Sequence, residues 1–193
     1  ENGYGKRSGV TEYRLQGRGG SGVINVKVTE KNGPVVGIKS VTDADQLLLI
    51  SERGQLIRIK VKDIRETGRA AQGVRVIDLD EGDEMIEAAI TDGTQDLILA
   101  KRHGKAIRFH EREVRAMGRD ASGVQGMRLR GDDEVIGVSI AQDDADLLVV
   151  TENGYGKRTR IAEYPVKGRG GLGVKTVQLA EAKGKLAGSR VVR

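Results

Sequence analysis

Short apolar runs alternate with polar, glycine-containing breaks along the whole chain. The clearest set is Leu47–Ser51, Gln55–Val61, Gly73–Leu79 and Met85–Ile90, which are brief and rich in β-branched side chains. Runs of this length and composition predict strands. The segments between them, Glu52-Arg-Gly54, Asp80-Glu-Gly-Asp83 and Thr91-Asp-Gly93, are turn formers. No stretch sustains a 3.6-residue apolar period. Glu111–Met117 is long enough for one helical turn, but its counterpart Lys62–Thr67 carries no apolar stripe, so both read as connections.

The pattern repeats. Glu1-Asn-Gly-Tyr-Gly-Lys-Arg7 recurs unchanged as Glu152–Arg158, with Glu52-Arg-Gly-Gln-Leu-Ile-Arg58 and Arg102-His-Gly-Lys-Ala-Ile-Arg108 between, at steps of 51, 50 and 50 residues. A second marker keeps the same steps: Gly17-Arg-Gly-Gly-Ser-Gly-Val23, Gly68–Val74, Gly118–Val124 and Gly168–Val174. The expected organisation is one repeat domain over 1–193, with units near 1–46, 47–96, 97–146 and 147–193. Four strands per unit at a period near fifty predict an all-β, propeller-like fold. The first unit lacks the leading apolar strand found at Leu47–Ser51, Leu97–Lys101 and Leu147–Thr151. Closure into a ring, an open spiral, and self-association that completes the blade ring all remain open at this level.

Charge then divides each unit in two. Arg53–Arg75 holds seven bases against Asp63 and Glu66, whereas Asp78–Asp96 holds eight acids and no base. The net charge of +5 and pI near 9.5 alone imply little. In-register bases are more telling, because repetition should line them up as a belt suited to phosphates. The candidates are Lys6, Arg7, Arg14, Arg18, Arg58, Lys60, Arg65, Arg69, Lys105, Arg108, Arg115, Arg119, Lys157, Arg158, Lys167 and Arg169. One Phe, four Tyr and no Trp make a poor base-stacking platform, which favours the duplex backbone over single strands.

Other chemistry finds little footing. Gly17–Gly22 and Gly168–Gly173 match G-x-G-x-x-G, but Val23–Val28 after the first reads as a strand where a dinucleotide site needs a helix. His103 and His110 have no second His or Cys at ligand spacing, so no metal is expected. The absence of cysteine excludes disulfides and thiol nucleophiles and fits a cytoplasmic setting. No catalytic residue and no cofactor is expected, and no apolar run is long enough for a membrane span. A start at Glu1 rather than Met points to a piece of a longer chain.

Taken together, Glu1–Arg7 with Glu12-Tyr13, Gly22–Gly33, Gly54–Arg58, Leu79–Asp83 and Ala116-Met-Gly-Arg119 resemble the C-terminal domain of bacterial DNA gyrase A. The resemblance covers the whole chain. It implies a β-pinwheel, a propeller with strands exchanged between neighbouring blades, that bends and wraps double-stranded DNA without strong sequence preference. It further implies a non-catalytic part of an ATP-dependent type II topoisomerase, associated with the bacterial nucleoid and with the remainder of gyrase A and with gyrase B. The family typically has six blades, and its wrapping box reads Gln-Arg-Arg-Gly-Gly-Lys-Gly. Here Gln16–Gly22 and Lys167–Gly173 lack or replace two of the box's bases. A topoisomerase IV-type tail that binds without strong wrapping is a related reading. A structural or protein-interaction propeller scaffold is the reading from another class.

Overall fold

The computed structural model describes residues 1–193. Thirteen strands follow in chain order: β1 (Tyr4–Gly5), β2 (Gln46–Ser51), β3 (Gln55–Lys60), β4 (Val74–Arg75), β5 (Met85–Thr91), β6 (Asp96–Lys101), β7 (Lys105–His110), β8 (Val124–Gln125), β9 (Val135–Ala141), β10 (Asp146–Thr151), β11 (Gly156–Arg160), β12 (Val174–Lys175) and β13 (Leu186–Val192). The connection at Glu111–Met117 contains a single 3₁₀ turn, Glu111–Glu113, matched by Val10–Glu12, Val61–Asp63 and Ile161–Glu163.

The fold is all-β, and its sheets are built across unit boundaries. The two four-stranded sheets have the orders β5-β2-β3-β8 and β9-β6-β7-β12. Three strands of each come from one unit and the outermost from the next. The run Gly73–Leu79 is therefore a short exchanged strand: β4 pairs with β1 of the unit before it, as β8 pairs with β3 and β12 with β7. A parallel bridge adds to each crossing, at Arg7–Glu66, Arg58–Ala116 and Arg108–Val166. The innermost strands β5, β9 and β13 pack in succession.

Blades stack through apolar layers. Leu48 and Ile50 of β2 meet Leu97, Leu99 and Phe109, while Leu49 faces the other way toward Ile57, Val76 and Ile77. The next layer joins Ile98 and Ala100 to Leu147, Val149 and Tyr164. Each fully buried Leu or Ile is worth about 1.5–3 kcal/mol. A strand that packs on both faces reads as a continuous apolar run, which is why Leu47–Ile50 does not alternate.

The first unit departs from the repeat. Val23–Val28, expected as a strand, lies in no strand, because its pairing partner would be the outer strand of a preceding unit. Residues 35–41, which correspond to β9 one hundred residues on, are likewise unpaired, since the strand that would lie beside them is missing from this unit. Much of their apolar surface stays in water: Ile24, Val28, Val35 and Ile38 are exposed, while Val36 packs against the second unit.

At each crossing one glycine decides whether the exchanged strand can approach. Gly123 has φ of +77°, and a Cβ there would lie 2.5 Å from the Leu56 carbonyl oxygen. Gly22 has φ of +76° with nothing within 4 Å. Gly123→Ala should therefore destabilise the chain by roughly 3 kcal/mol or more, against about 1 kcal/mol for Gly22→Ala. Chemical denaturation of the two variants checks the difference.

Candidate nucleic-acid interface

Exchange places the basic connections on the outside. The chain after β3 crosses to the preceding blade and runs along its outer strand, held by Thr67 N–H to Arg7 O at 2.9 Å, Met117 N–H to Arg58 O at 2.8 Å and Lys167 N–H to Arg108 O at 2.8 Å. Three in-register connections thus form the rim. Arg65, Arg115, Arg119 and Lys167 stand exposed on them, as do Arg14 and Arg18 on the corresponding segment of the first unit. Lys60 at the end of β3 and Lys157 and Arg158 on β11 are exposed too. Lys6 and Lys105 are half-buried. Burial pushes the Lys6 ammonium below its ordinary value, Glu12 opposes the shift, and nearby Arg69 adds to it.

Arg69 and Arg169 are partly committed to the scaffold. Their backbone N–H groups donate to Glu12 at 2.7 Å and Glu113 at 2.8 Å, and their guanidinium groups bond backbone carbonyls of the preceding unit, at Ile24 for Arg69 and at Glu113 and Gln125 for Arg169. The Gln16–Gly22 copy of the box lies wholly exposed, whereas the Lys167–Gly173 copy is laid over β7. Neither glycine-rich segment is flanked by the strand and helix of a dinucleotide site.

Four of the candidate arginines occupy one repeat position with a different task. Arg58 pairs with the buried Glu111 at 3.3 Å, and Arg108 bonds Asp96 at 2.9 Å, Asp143 at 2.6 Å and the Ile161 carbonyl at 3.4 Å. Arg7 donates to the Ile64 carbonyl at 3.1 Å and pairs with Asp43. Arg58 and Arg108 are only 9% and 8% exposed, so their charge faces carboxylates and carbonyls inside the blade stack. Arg158 keeps only Asp146, at 2.8 Å, and its side chain is 62% exposed because no connection covers β11. The signal for burial was the flanking sequence: Leu56-Ile57-Arg58-Ile59 is apolar on both strand faces, while Lys157-Arg158-Thr159-Arg160 is polar throughout. The carboxylate partners, far away in sequence, gave no such sign.

The acidic halves collect beside the hairpin turns. Arg102 bridges Glu134 at 3.1 Å and Glu152 at 2.7 Å, Lys185 meets Asp132 at 2.7 Å, and Lys101 meets Asp133 at 2.9 Å in a buried pair. The hydrogen bond from Lys185 holds Asp132 below its ordinary value of 3.8, and that from Arg102 holds Glu152 below 4.5. Glu52 shifts upward, through burial first and then through Glu134, Glu84 and Asp83. His103 lies 3.4 Å from Asp132, while His110 accepts from Arg112 N–H at 3.1 Å to cap the Glu111 turn.

Two tests separate these roles. Arg58→Ala, which leaves Glu111 buried without its cation, should cost about 3 kcal/mol in chemical denaturation, whereas the rim variant Arg115→Ala should stay within about 0.5 kcal/mol. Because Asp132 and Glu152 have depressed folded-state values, their contribution is present above their ordinary pKa values and fades as pH falls through the lower folded ones. The melting-temperature deficit of the Asp132→Asn, Glu152→Gln double variant should therefore be full at pH 6 and shrink as acid is added below about pH 4. Glu52 works in the opposite direction and is unchanged in the variant.

The model of the family described as DNA gyrase C-terminal domain, beta-propeller, matches residues 1–42, 45–92, 95–142 and 145–193. The DNA gyrase A protein of Lawsonia intracellularis is 46% identical over 94 residues, which are 49% of this chain and 12% of that protein. Its counterpart in Staphylococcus epidermidis is 50% identical over 82 residues, 42% of this chain and 9% of that protein. The matched segments thus make up about a tenth of those curated relatives. Among solved structures, the C-terminal domain of DNA topoisomerase IV superposes with a TM-score of 0.89 at 20% identity, over 99% of this chain and 59% of that chain, which shows the shared fold. The DNA gyrase A C-terminal domain superposes with a TM-score of 0.70 at 30% identity, over 81% and 52%. The exchanged strands and four consecutive matches to one family model have a single source: this chain belongs to the DNA gyrase C-terminal domain, beta-propeller family.

Proposed function

We propose that the chain binds and bends double-stranded DNA along its outer rim, with little sequence preference and no catalytic group of its own. The observation that carries this reading is that each of the three exchanged connections exposes bases, Arg65 on the first, its repeat-mate Arg115 with Arg119 on the second and Lys167 on the third, continued by Lys60, Lys157 and Arg158. Repetition at the blade interval spaces positive charge along a curved edge. Bending a 20–30 bp site costs on the order of 1–6 kcal/mol, so several phosphate contacts must act together. Arg14, Arg18 and the exposed Gln16–Gly22 segment extend the track into the first unit. Arg58 and Arg108 support it from within by reaching the following unit, Arg58 at Glu111 and Arg108 at the Ile161 carbonyl.

Membership in the gyrase A family supports the same reading and suggests the wider setting: a module of a longer DNA topoisomerase in a bacterial cytoplasm, acting with the other parts of gyrase on DNA topology. Binding of mixed-sequence duplex across a salt series is the direct test. The slope of log affinity against log salt should be about −0.9 for each phosphate neutralised. Arg65→Glu, Arg115→Glu and Arg119→Glu together should make that slope shallower by roughly 3 and leave melting nearly unchanged. A slope near zero in the unmutated chain would exclude the phosphate track and favour a protein-binding scaffold.

A further inference from the structure

One aspartate of the repeat keeps its backbone cradle in two units but has a counterion in only one of them. Asp133 accepts at Oδ1 from the His103 and Glu134 N–H groups, at 2.9 and 3.2 Å, and its Oδ2 lies 2.9 Å from the Lys101 ammonium. Asp83, fifty residues earlier, is held in the same way: its Oδ1 accepts from the Arg53 and Glu84 N–H groups at 3.0 and 2.9 Å. The residue that corresponds to Lys101 is Ser51. Both sit just past a register shift, Ser51 opposite Met85 at the start of β5 and Lys101 opposite Val135 at the start of β9.

Asp83 is only 7% exposed, and no group of the chain bonds its buried Oδ2. Such a carboxylate is costly, because its charge has left water without gaining a partner. The other units avoid the cost. The third supplies Lys101, the first carries the neutral Asn32, whose amide bonds Thr29, Lys27 and Gln72, and the fourth carries Lys183. The nearby Arg53 guanidinium turns instead to Glu81 O at 2.9 Å. Burial, and then Glu134, Glu84 and Asp83, push the Glu52 carboxyl upward, so negative charge is crowded here.

The repeat also locates neutral oxygens. The Lys101 ammonium donates to Arg128 O at 3.1 Å, and the counterpart carbonyl is that of Asp78. It accepts Gln55 Nε2 at 3.0 Å, which uses one of its two lone pairs. Oε1 of the same Gln55 amide is buried without a partner. Ser51 Oγ accepts from Gln55 N–H at 3.0 Å, and its side chain is too short to reach where a lysine ammonium would lie.

We propose that a potassium-sized monovalent cation binds at Asp83 Oδ2, in the place that the Lys101 ammonium holds in the next blade, with Asp78 O, Gln55 Oε1 and Ser51 Oγ as neutral ligands. The size follows from the repeat. Oxygens 2.9 and 3.1 Å from an ammonium nitrogen suit an ion of that radius, whereas Mg²⁺ needs about 2.0–2.1 Å and Ca²⁺ about 2.3–2.6 Å. The charge follows from the ligands, since no group of three or more carboxylates or imidazoles converges to hold a divalent ion. The ion ties the turn before β5 to the β2–β3 hairpin, as Lys101 ties the turn before β9 to the next hairpin.

The experiment is thermal unfolding of the whole chain in potassium, ammonium, lithium or choline chloride, at one ionic strength and near neutral pH. With potassium at about ten times its Kd, melting should stand roughly 3–6 °C above that in choline, with ammonium close to potassium and lithium close to choline. Asp83→Asn should lose the response. Ser51→Lys should lose it as well, while melting in choline as high as the unmutated chain does in potassium. A crystal grown in rubidium chloride should carry an anomalous peak beside Asp83 Oδ2, a readout that holds even if a variant does not fold. Equal melting in potassium and choline, an equal rise in lithium, a response retained in either variant, or no rubidium peak would overturn the proposal.

Discussion

The structure depends on a backbone contact two residues wide. β4, β8 and β12 each leave their own unit and close the outer edge of the one before. A two-residue strand contributes little pairing by itself. It succeeds because a positive-φ glycine lets the chain arrive against a carbonyl, as at Gly123 over Leu56, and because the arginine beneath it is fixed to the next unit's turn. The repeat-equivalent segment Val23–Val28, which has no such neighbour within residues 1–193, lies in no strand.

That contact also settles which charges reach solvent. The connection that carries Arg115 and Arg119 is the layer that covers β3, so covering the sheet and presenting the bases are one event. Arg58, at the same crossing, goes inward for the same reason. Its pair with Glu111 is sheltered from water and screened little by salt, while rim charges stay hydrated and free to exchange counterions for phosphates. A rim whose bases were instead paired with the acidic turns would have little to offer a polyanion. Keeping the acids beside the hairpin turns, with Arg102 and Lys185, prevents this.

Identical sequence in two settings shows how far context reaches. Glu1–Arg7 and Glu152–Arg158 do not differ, yet Tyr4 is half-buried beside Lys31 and Arg75 whereas Tyr155 is 52% exposed. Arg7 bonds the carbonyl of the following unit's turn, and Arg158 has no such turn to reach. Within residues 1–193 the two copies meet different neighbours, so the same residues make different contacts.

The sequence by itself determined the repeat, the strand periodicity and the halves of opposite charge, because these are local properties renewed every fifty residues. Leu47–Ser51 and Met85–Ile90 became strands almost as read, and the exposed positions of Arg65, Arg115 and Arg119 followed from polar connections. Only the tertiary structure decided which blade each short strand closes, and hence to which groups Arg58 and Arg108 are anchored. Those outcomes rest on partners 53 residues away: Glu111 for Arg58 and Ile161 for Arg108. Local propensity carries no information about a partner at that distance, whereas packing one blade on the next leaves each arginine a single place to go.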